Sequence, residues 1–425
     1  MQLLSRGGEV VNLTLLKLNK NIMSFWDTEP QKPVFDFESE KAKLKENMDY
    51  LMTMSVQEQT LYKKWVELQE PTMIQAKSQI ASYYDLQWKP TDINNKELTI
   101  KEIELLEPYV EIVDDPKEST KWAAVRRMIH TMDFTANPGR NVKINVKDRV
   151  SGKLLGQISL ASDVTAMGVR DNFIGWTKDN KFVDGKLNNT TIASTIVCTQ
   201  PLGYNFLGGK LIAMMTTVPE VRNYWKEKYK NVLIAVGTTS LYGIHSQYNG
   251  IPLFKTLGES AGKISLKPDD KFYDPWHQWI KENRAEWYKQ NISDERARNG
   301  ANMGYEANGP VSGIKQKILS AIFKECGIKA TEYHHGFKRG VYMAMMYENG
   351  CEYLRNEITE EQLILKDKFK QGTEYINKWW KKHAISRYTK LHDEGRIKPE
   401  HLFYIDAIGI SWEEMKEKYL SEVGR

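Results

Sequence analysis

Residues 192–240 read IASTIVCTQPLGYNFLGGKLIAMMTTVPEVRNYWKEKYKNVLIAVGTTS. The stretch opens on a largely apolar run at 192–204 and leads into another at 231–243, and such runs are typical of buried strands. Between them, 208–229 predicts a helix, which Pro219 is expected to bend or split. A strand, a glycine loop, a helix and a second strand form a right-handed crossover unit, which requires a parallel or splayed strand pair. The stretch therefore predicts the centre of an α/β domain.

The sequence before this unit predicts a β-hairpin. NVKINVKD at 141–148 alternates apolar and polar residues, as in a half-buried strand. LLGQISLAS at 154–162 supplies the second strand, and Ser151-Gly152-Lys153 forms the turn between them. The polar stretch 163–191 joins the hairpin to the crossover unit, so that we expect the core of the domain at about 141–265.

Helical patterns flank the predicted domain on both sides. Toward the amino terminus we expect a helical region at 38–84 divided by Pro71, a loop-rich stretch at 88–117, and a helix at 118–133 capped by Ser119 or Thr120. Toward the carboxyl terminus the helical stretches are 274–290, 312–325, 338–356, 359–391 and 411–421.

These patterns predict an α+β protein with a central mixed sheet between two helical regions, and the chain order of the sheet resembles that of GNAT-type enzymes, so that we expect a GNAT-like sheet. A chain of 425 residues exceeds the size at which a single hydrophobic core usually stops growing, so more than one module is expected. The predicted organisation is a candidate dispensable extension at 1–22, an N-terminal helical region at 23–117, an α/β core at 118–270 and a C-terminal helical module at 271–425.

Composition and charge narrow the class of protein. Apolar residues make up 41% of the chain and charged residues 27%, an ordinary globular balance, and the net charge of +5 permits contact with a polyanion without requiring it. The three cysteines are far apart and form no CxxC pair, which fits a reducing compartment. No run reaches the length of a membrane span, and residues 1–22 lack the features of a secretory signal. We therefore expect a cytoplasmic protein that has no membrane partner.

The glycine loop is a candidate anion site. Gly203, Gly208 and Gly209 lie before a helix expected to begin near Lys210, and a helix N-terminus offers free N–H groups to a phosphate. The four residues are therefore candidates for cofactor binding. The loop matches neither the Walker motif nor the dinucleotide fingerprint. The alternative is that the glycines only make a tight turn.

The chain order of these elements resembles that of GNAT-type acyltransferases, and shorter motifs resemble two families of phage biology. RDNFIGW at 170–176 resembles the signature of the DruA family, found in Druantia phage-defence systems, and NNTTIASTIV at 188–197 is similar to the segment that follows it there. The same segments, with the Gly258-Glu259-Ser260 turn, are similar to Mom, a GNAT-like phage enzyme that modifies adenines in DNA. The resemblance covers about 141–265 and implies transfer of a small group to a base amine. The cofactor is left open, with acyl-CoA or another phosphate-bearing donor as candidates, because the GNAT loop is only approximated.

Two polar groups of residues are candidates for the chemistry. Arg170 is a candidate for phosphate binding and Asp171 for orienting a substrate amine, with Trp176 beside them; the alternative is an ion pair that pins a loop. Ligands gather at the carboxyl ends of strands in α/β folds, which points to the residues after the last core strand. The candidates there are Thr239 and Ser240 for substrate binding and Tyr242, His245 and Tyr248 as catalytic acid or base. The alternative is that these are ordinary turn residues.

Basic and aromatic residues alternate in KWAAVRR at 121–127 and in YINKWWKKHAISRYTK at 375–390. Lysine and arginine can contact phosphates and aromatic rings can stack on bases, so we expect DNA as a partner, with Lys381 and Lys382 on its backbone. The alternative is a pair of amphipathic helices with solvated lysines. His334 and His335 are adjacent and would point apart, so no metal site is expected there.

The favoured interpretation is a phage-type, Mom-like transferase that modifies DNA bases and protects DNA from host restriction. The first alternative is a non-catalytic, DruA-like protein that binds nucleic acid or takes part in defence. The second is a GNAT enzyme acting on a protein or a small amine. Fold alone does not decide among the three.

Overall fold

The computed structural model describes residues 35–134, 139–240, 246–260, 263–293, 305–306, 309–310, 314–336, 338–399 and 402–423. The strands are β1 (Pro108–Val113), β2 (Asn141–Asp148), β3 (Leu154–Ser162), β4 (Thr190–Cys198), β5 (Ala235–Thr239), β6 (Lys255–Glu259), β7 (Lys263–Ser265), β8 (Tyr305–Glu306), β9 (Gly309–Pro310), β10 (His334–Gly336) and β11 (Gly340–Met345).

The helices of the first half are α1 (Phe37–Thr53), α2 (Val56–Leu68), α3 (Pro71–Gln75), α4 (Lys77–Ala81), α5 (Lys96–Leu105), α6 (Pro116–Ile129), α7 (Gly168–Ile174), α8 (Leu202–Phe206), α9 (Gly208–Met215) and α10 (Pro219–Tyr229). Those of the second half are α11 (Tyr273–Asn283), α12 (Ala285–Tyr288), α13 (Ile314–Cys326), α14 (Gly350–Leu354), α15 (Asp367–Lys370), α16 (Gly372–Asp393) and α17 (Trp412–Tyr419). Single turns of 3₁₀ or π-helix lie at Ser82–Leu86, Asp179–Val183, Lys186–Asn189, Asp270–Phe272, Lys289–Ser293, Glu360–Gln362, Tyr404–Ala407 and Leu420–Glu422.

The main sheet has seven strands among the described residues, in the order β1-β2-β3-β4-β5-β11-β6. β4 and β5 run parallel, and the other neighbouring strands of this sheet are antiparallel. The hairpin predicted at 141–148 and 154–162 is β2–β3, and the predicted crossover unit is β4, α8 to α10 and β5. The α+β class and the mixed sheet are therefore confirmed.

Local sequence explains where several of these helices begin. Asp36 and Asn95 accept backbone N–H groups at the starts of α1 and α5, and Ser55 forms a reciprocal cap with Glu58 at the start of α2. Pro219 occupies the first turn of α10, where its missing N–H costs nothing, so it begins a new helix after α9.

Helices cover both faces of the main sheet. One face packs against α9, α10 and α16, where Trp225 and Trp380 are fully buried. The opposite face packs against α7 and α14. A further core joins α1, α2, α11, α13 and α17, with Trp276 at its centre. Burial of these large side chains provides most of the driving force for folding.

The loop-rich prediction for 88–117 is wrong, because the stretch contains α5 and β1. Pro108 interrupts the local pattern. What makes 108–113 a strand is its pairing with β2 over six residues, which is a non-local interaction. The predicted helix 118–133 begins earlier, at Pro116 behind the cap Asp115, and ends at Ile129.

The helix predicted at 338–356 is also wrong in its first half. Residues Gly340–Met345 form β11, which inserts between β5 and β6. All six residues of β11 are buried, so the strand shows no alternation that would distinguish it from a buried helix. The sheet thus includes β1 and β11, both of which lie outside the predicted core boundaries of 118–270.

Candidate functional site at the parallel strand pair

The two parallel strands at the centre of the sheet splay apart toward their carboxyl ends. Pairing of β4 with β5 covers Thr190 to Ile192, whereas β4 continues to Cys198. Beyond the paired residues, the Thr238 hydroxyl donates to the Ala193 carbonyl over 3.3 Å. Because ligands in α/β folds gather at the carboxyl ends of strands, this wedge is where a substrate or donor would be sought.

Tyr248, a predicted catalytic residue, is close to the wedge. Its side chain is buried, packs against the Tyr342 ring at 5.4 Å and contacts Thr238. Burial raises the pKa of Tyr248, so the phenol is protonated at neutral pH, the state that a general acid needs. The other two predicted catalytic residues of this group, Tyr242 and His245, lie outside the described residues.

Thr239 and Ser240, predicted to bind substrate, join β5 to β11. Thr239 is opposite Val341 in the sheet, and Oγ of the buried Ser240 accepts the backbone N–H of Gly340 over 2.9 Å. Both residues therefore take part in holding β11 in the sheet.

The three glycines of the predicted anion loop pack against protein. The helix begins at Gly208, two residues before the expected Lys210, and Gly203 lies within the short α8. A Cβ atom at Gly208 would come within 2.9 Å of the Leu202 carbonyl oxygen, and one at Gly203 within 2.8 Å of Sγ of Cys198. These positions need glycine because neighbouring chain approaches closely.

The segment after β5 covers the N-terminus of α9. A Cβ atom at Gly209 would overlap the side-chain oxygen of Gln247. Lys210 donates its ammonium group to the carbonyl of Asn249, and burial lowers the pKa of this lysine. Side chains of the protein thus lie where a donor phosphate was expected to approach.

Arg170 and Asp171 belong to a buried ionic cluster at the other end of the strand pair. The Arg170 side chain is 1% exposed and contacts Asp163 at 2.6 Å and Asp171 at 2.7 Å. Lys181 contacts the second oxygen of Asp171 at 2.5 Å, and burial lowers the pKa of this lysine. The hydroxyl of Thr190, the first residue of β4, donates to Asp163 over 2.7 Å.

This cluster fixes the excursion 163–189 to the sheet. The Trp176 ring lies 5.2 Å from the Arg170 guanidinium, and its indole N–H donates to the Leu354 carbonyl over 2.7 Å. The predicted phosphate contact of Arg170 does not match this placement, because its guanidinium faces two carboxylates inside the protein. The geometry is that of the alternative, an ion pair that pins a loop.

The two adjacent lysines of the basic segment point in different directions on α16. Lys381 donates to the carbonyl of Glu104 over 2.7 Å, while Lys382 is exposed. Trp380 is buried and donates to the Phe206 carbonyl, and Trp379 stacks on His383 at 4.1 Å. The tryptophans are therefore packed residues of an amphipathic helix.

A row of exposed residues on α16 contains Lys382, one of the two lysines expected to contact DNA. Lys378, Lys382, Ser386 and Lys390 recur every four residues and are all exposed. We call Lys378, Lys382 and Lys390 the lysine ridge. Helical periodicity could have identified it, since residues four apart share a face.

The arginines of KWAAVRR are directed into the protein. Arg126 is buried and donates to the Met132 carbonyl, and Arg127 contacts Glu67 at 2.8 Å. Both arginines are thus engaged in internal contacts.

The described residues contain neither a membrane-spanning helix nor a cluster of metal ligands. No helix there is long and apolar enough to cross a membrane. Within the same ranges no three histidine, cysteine or acidic side chains are grouped so as to hold a metal ion. The thiol of Cys198, next to the wedge, is buried, which raises its pKa to about 12 and keeps it protonated.

Comparison with known proteins gives one consistent relationship. The family model described as Druantia protein DruA matches residues 60–356. A curated Druantia protein DruA from Escherichia coli (strain UMEA 4076-1) is 26% identical over 243 residues, which cover 53% of this chain and 55% of that protein. The chain thus spans about half the length of this curated relative. No solved structure matches the chain significantly.

Proposed function

The chain belongs to the DruA family, and from this premise we propose that it is a nucleic-acid-binding component of a phage-defence system that has no transferase chemistry of its own. Family membership favours this defence-linked alternative over the Mom-like interpretation, in which DNA is protected from restriction. The observation that carries the proposal is the lysine ridge of α16.

The lysine ridge has the geometry of a phosphate-binding surface. Its members are exposed on one face of a helix of 22 residues, and Lys378 and Lys382 are separated by about 6 Å along the axis. Lys390 has an acidic neighbour, Glu394, at 3.9 Å, a distance at which an exposed pair is worth little. A polyanion can therefore displace that contact and release counterions, which gives affinity without sequence preference.

The covered N-terminus of α9 supports the non-catalytic part of the proposal. Gln247 and the Lys210–Asn249 contact occupy the approach that a pyrophosphate would take to the backbone N–H groups. Binding of an acyl-CoA there would require the segment 246–250 to move away. A domain that binds nucleic acid alone has no such requirement.

The test is DNA binding as a function of salt. Fluorescence anisotropy with labelled single- and double-stranded oligonucleotides would compare the wild type with the double variant Lys378→Gln/Lys382→Gln. We expect the slope of log affinity against log salt to decrease by about 0.7–0.9 for each phosphate that the variant no longer neutralises. The matched control is Lys324→Gln/Lys329→Gln, which removes the same charge from exposed positions elsewhere. Equal slopes for all three proteins would refute the role of the ridge.

The second candidate function is a GNAT-like transferase acting on a base amine. It is favoured by the parallel pair β4–β5, which flanks the helices α8 to α10 as the resemblance to GNAT enzymes implies, and by the protonated Tyr248 beside the wedge. Mass spectrometry of nucleosides from DNA of expressing cells separates the candidates. A modified nucleoside that disappears with Tyr248→Phe would support the transferase, and unchanged nucleosides are expected from our proposal.

A further inference from the structure

Two cations lie against a single tyrosine ring beside the C-terminal end of the lysine ridge. The Lys398 ammonium group is 4.6 Å from the centroid of the Tyr204 ring, and the Arg387 guanidinium carbon is 5.2 Å from it. Arg396 interacts with the hydroxyl of the same tyrosine. We call these four residues the Tyr204 cluster. It gathers three positive charges around one tyrosine, whose negative ring faces attract cations.

The main chain holds this arrangement in place. Beyond the end of α16 the chain makes a left-handed turn at Gly395 (φ 62°), and the N–H of Arg396 donates to a carbonyl of the last turn of α16 over 2.8 Å. The chain then reaches α8, where the buried side chain of Asn205 accepts the N–H of Lys398 at 3.0 Å and donates to its carbonyl over 2.6 Å. Because Asn205 follows Tyr204 in the sequence, the same short helix positions both the lysine and the ring.

Arg387 and Lys398 have no acidic partner among the residues that the structure describes. The side chains make neither a salt bridge nor a hydrogen bond there, and although Nε of Arg387 is buried, its two terminal nitrogens and Nζ of Lys398 are accessible. Arg396 pairs with Glu394 at 2.7 Å on the surface, where such a pair is worth little. Three cations thus share one exposed carboxylate, and their mutual repulsion is relieved by an anion that binds between them.

Cations near the end of a helix also stabilise its macrodipole, which is the simplest alternative role for the cluster. That effect falls off within the last turn of a helix. Arg387 lies six residues before Asp393, the last residue of α16, and Lys398 lies five residues after it. The macrodipole therefore does not account for the approach of these two cations to one ring.

The charges fit a phosphate monoester better than a phosphodiester. A monoester carries a charge of about −1.5 to −2 at neutral pH, which balances the two cations that lack partners, whereas a diester carries a single negative charge. Arginine binds phosphate through two parallel N–H groups, and lysine binds it as a point charge.

The cluster also adjoins the lysine ridge. Arg387 is three residues before Lys390 on α16, so the two lie on neighbouring faces and about 4.5 Å apart along the axis. A nucleic-acid strand whose diesters contact the ridge can therefore place its end in the cluster.

We propose that the Tyr204 cluster binds a phosphate monoester, which is either the terminal phosphate of a nucleic-acid strand or the phosphate of a free nucleotide. Arg387 and Lys398 bind the phosphate oxygens, and Tyr204 keeps the two cations together. The first source rests on the proposed function, to which it adds recognition of a strand end.

The first experiment measures what a terminal phosphate contributes to binding. Fluorescence anisotropy with the full chain compares a short single-stranded oligothymidylate that carries a 5′-phosphate, a 3′-phosphate or neither, with the fluorophore placed internally. One of the two phosphates should strengthen binding to the wild type about tenfold, as expected for a charge-assisted contact. This gain should be lost in Arg387→Gln/Lys398→Gln and retained in the matched control Lys378→Gln/Lys382→Gln, which removes the same charge from the ridge.

A conservative variant separates phosphate recognition from a general positive field. Arg387→Lys keeps the charge but loses the paired N–H groups, so most of the gain should disappear while the salt slope stays that of the wild type. In the wild type the gain should decrease as the pH is lowered through about 6, where a monoester takes up its second proton. Should Arg387→Gln/Lys398→Gln fail to fold, these two measurements decide, and a full gain in Arg387→Lys that is independent of pH overturns the inference.

The second experiment distinguishes the two sources by ligand-observed NMR with thymidine 5′-monophosphate and thymidine. If a free nucleotide is the ligand, the monophosphate binds the wild type about tenfold more tightly than thymidine, Arg387→Gln/Lys398→Gln removes the difference, and a terminal phosphate adds nothing to the oligonucleotide. If a phosphate strengthens neither ligand in the wild type, the cluster is not a phosphate site. Failure of the proposed function is separate, because it appears as an unchanged salt slope in Lys378→Gln/Lys382→Gln.

Discussion

At the scale of single residues, Arg170 shows how burial changes the meaning of a charged side chain. In the sequence it stands in a polar stretch beside Asp171, where a surface role and a small effect on stability are expected. In the structure it is enclosed between Asp163 and Asp171, with Lys181 on the far side of Asp171. Two carboxylates and two cations thus form a buried cluster whose members depend on each other.

Replacement of Arg170 by methionine should destabilise the protein by about 3–5 kcal/mol, because it removes the ion-pair partner of Asp163 and leaves Asp171 paired with Lys181 alone. The measurement is the free energy of unfolding from urea titration. Lys178→Met removes a charge from an exposed position of the same excursion and should change stability by less than about 0.5 kcal/mol. A destabilisation below about 1 kcal/mol in Arg170→Met would show that the cluster does not hold the excursion in place.

His130 provides a second test at this scale. Burial, together with the nearby Arg126 and Lys64 cations, holds the pKa of His130 well below its usual value of 6.5, and its ring nitrogen accepts the Met132 N–H over 2.9 Å. Below pH 6.5 the unfolded chain takes up a proton that the native histidine does not. The free energy of unfolding therefore decreases as the pH is lowered, by up to about 1.4 kcal/mol per pH unit.

The pH dependence of the unfolding free energy between pH 7.5 and 5.5 should therefore be flatter in His130→Gln than in the wild type. Urea titration of the two proteins at several pH values in this interval gives the measurement. Parallel slopes for His130→Gln and the wild type would mean that His130 is protonated in the folded protein.

At the scale of elements, α9 begins with two adjacent glycines, and the atoms packed against each of them differ in how easily they can move. At Gly208 the neighbouring atoms include the backbone carbonyl of Leu202, which cannot move without shifting α8, as well as the Leu202 side chain. At Gly209 the neighbour is the end of the Gln247 side chain, which can rotate away. The two adjacent positions should consequently tolerate a methyl group to different degrees.

We expect Gly208→Ala to lower the free energy of unfolding by about 1–3 kcal/mol, the usual cost of overpacking. Gly209→Ala should be within about 1 kcal/mol of the wild type, because displacement of Gln247 is offset by the better helix propensity of alanine. Urea denaturation of the two variants gives the comparison. A larger destabilisation in Gly209→Ala than in Gly208→Ala would contradict the packing described for α9.

At the scale of the whole molecule, the sheet is assembled from distant parts of the chain. β1 joins β2 from the N-terminal side, and β11 inserts between β5 and β6 although about 80 residues separate it from β6. β11 is hydrogen-bonded to both β5 and β6, and it alone links these two strands in the sheet order. Long-range pairing therefore completes the domain.

A fragment of residues 118–270, the core boundaries expected from the sequence, should fail to fold cooperatively. It lacks β1 and β11 and would expose the edges of β2, β5 and β6. Circular dichroism and thermal melting of this fragment, beside the full chain, provide the measurement. A cooperative transition in 118–270 would show that the central strands are stable without the flanking ones.

The sequence by itself determined the parts of this protein that depend on local patterns. The alternation at 141–148 predicted the hairpin strand β2, and the apolar runs around the glycine loop predicted the parallel pair β4–β5. The motif at 170–176 indicated the family, because such a string is compared directly and needs no three-dimensional context.

Only the tertiary structure decided which side chains are available for function. Arg170 and Arg126 are buried, and Lys381 and Lys382 point in different directions on one helix. β11 resembled a helix because its residues are buried on both faces, and only its pairing with β5 and β6 makes it a strand. The physical reason is common to these cases: burial and strand pairing depend on residues far away in the chain, and a local pattern carries no information about them.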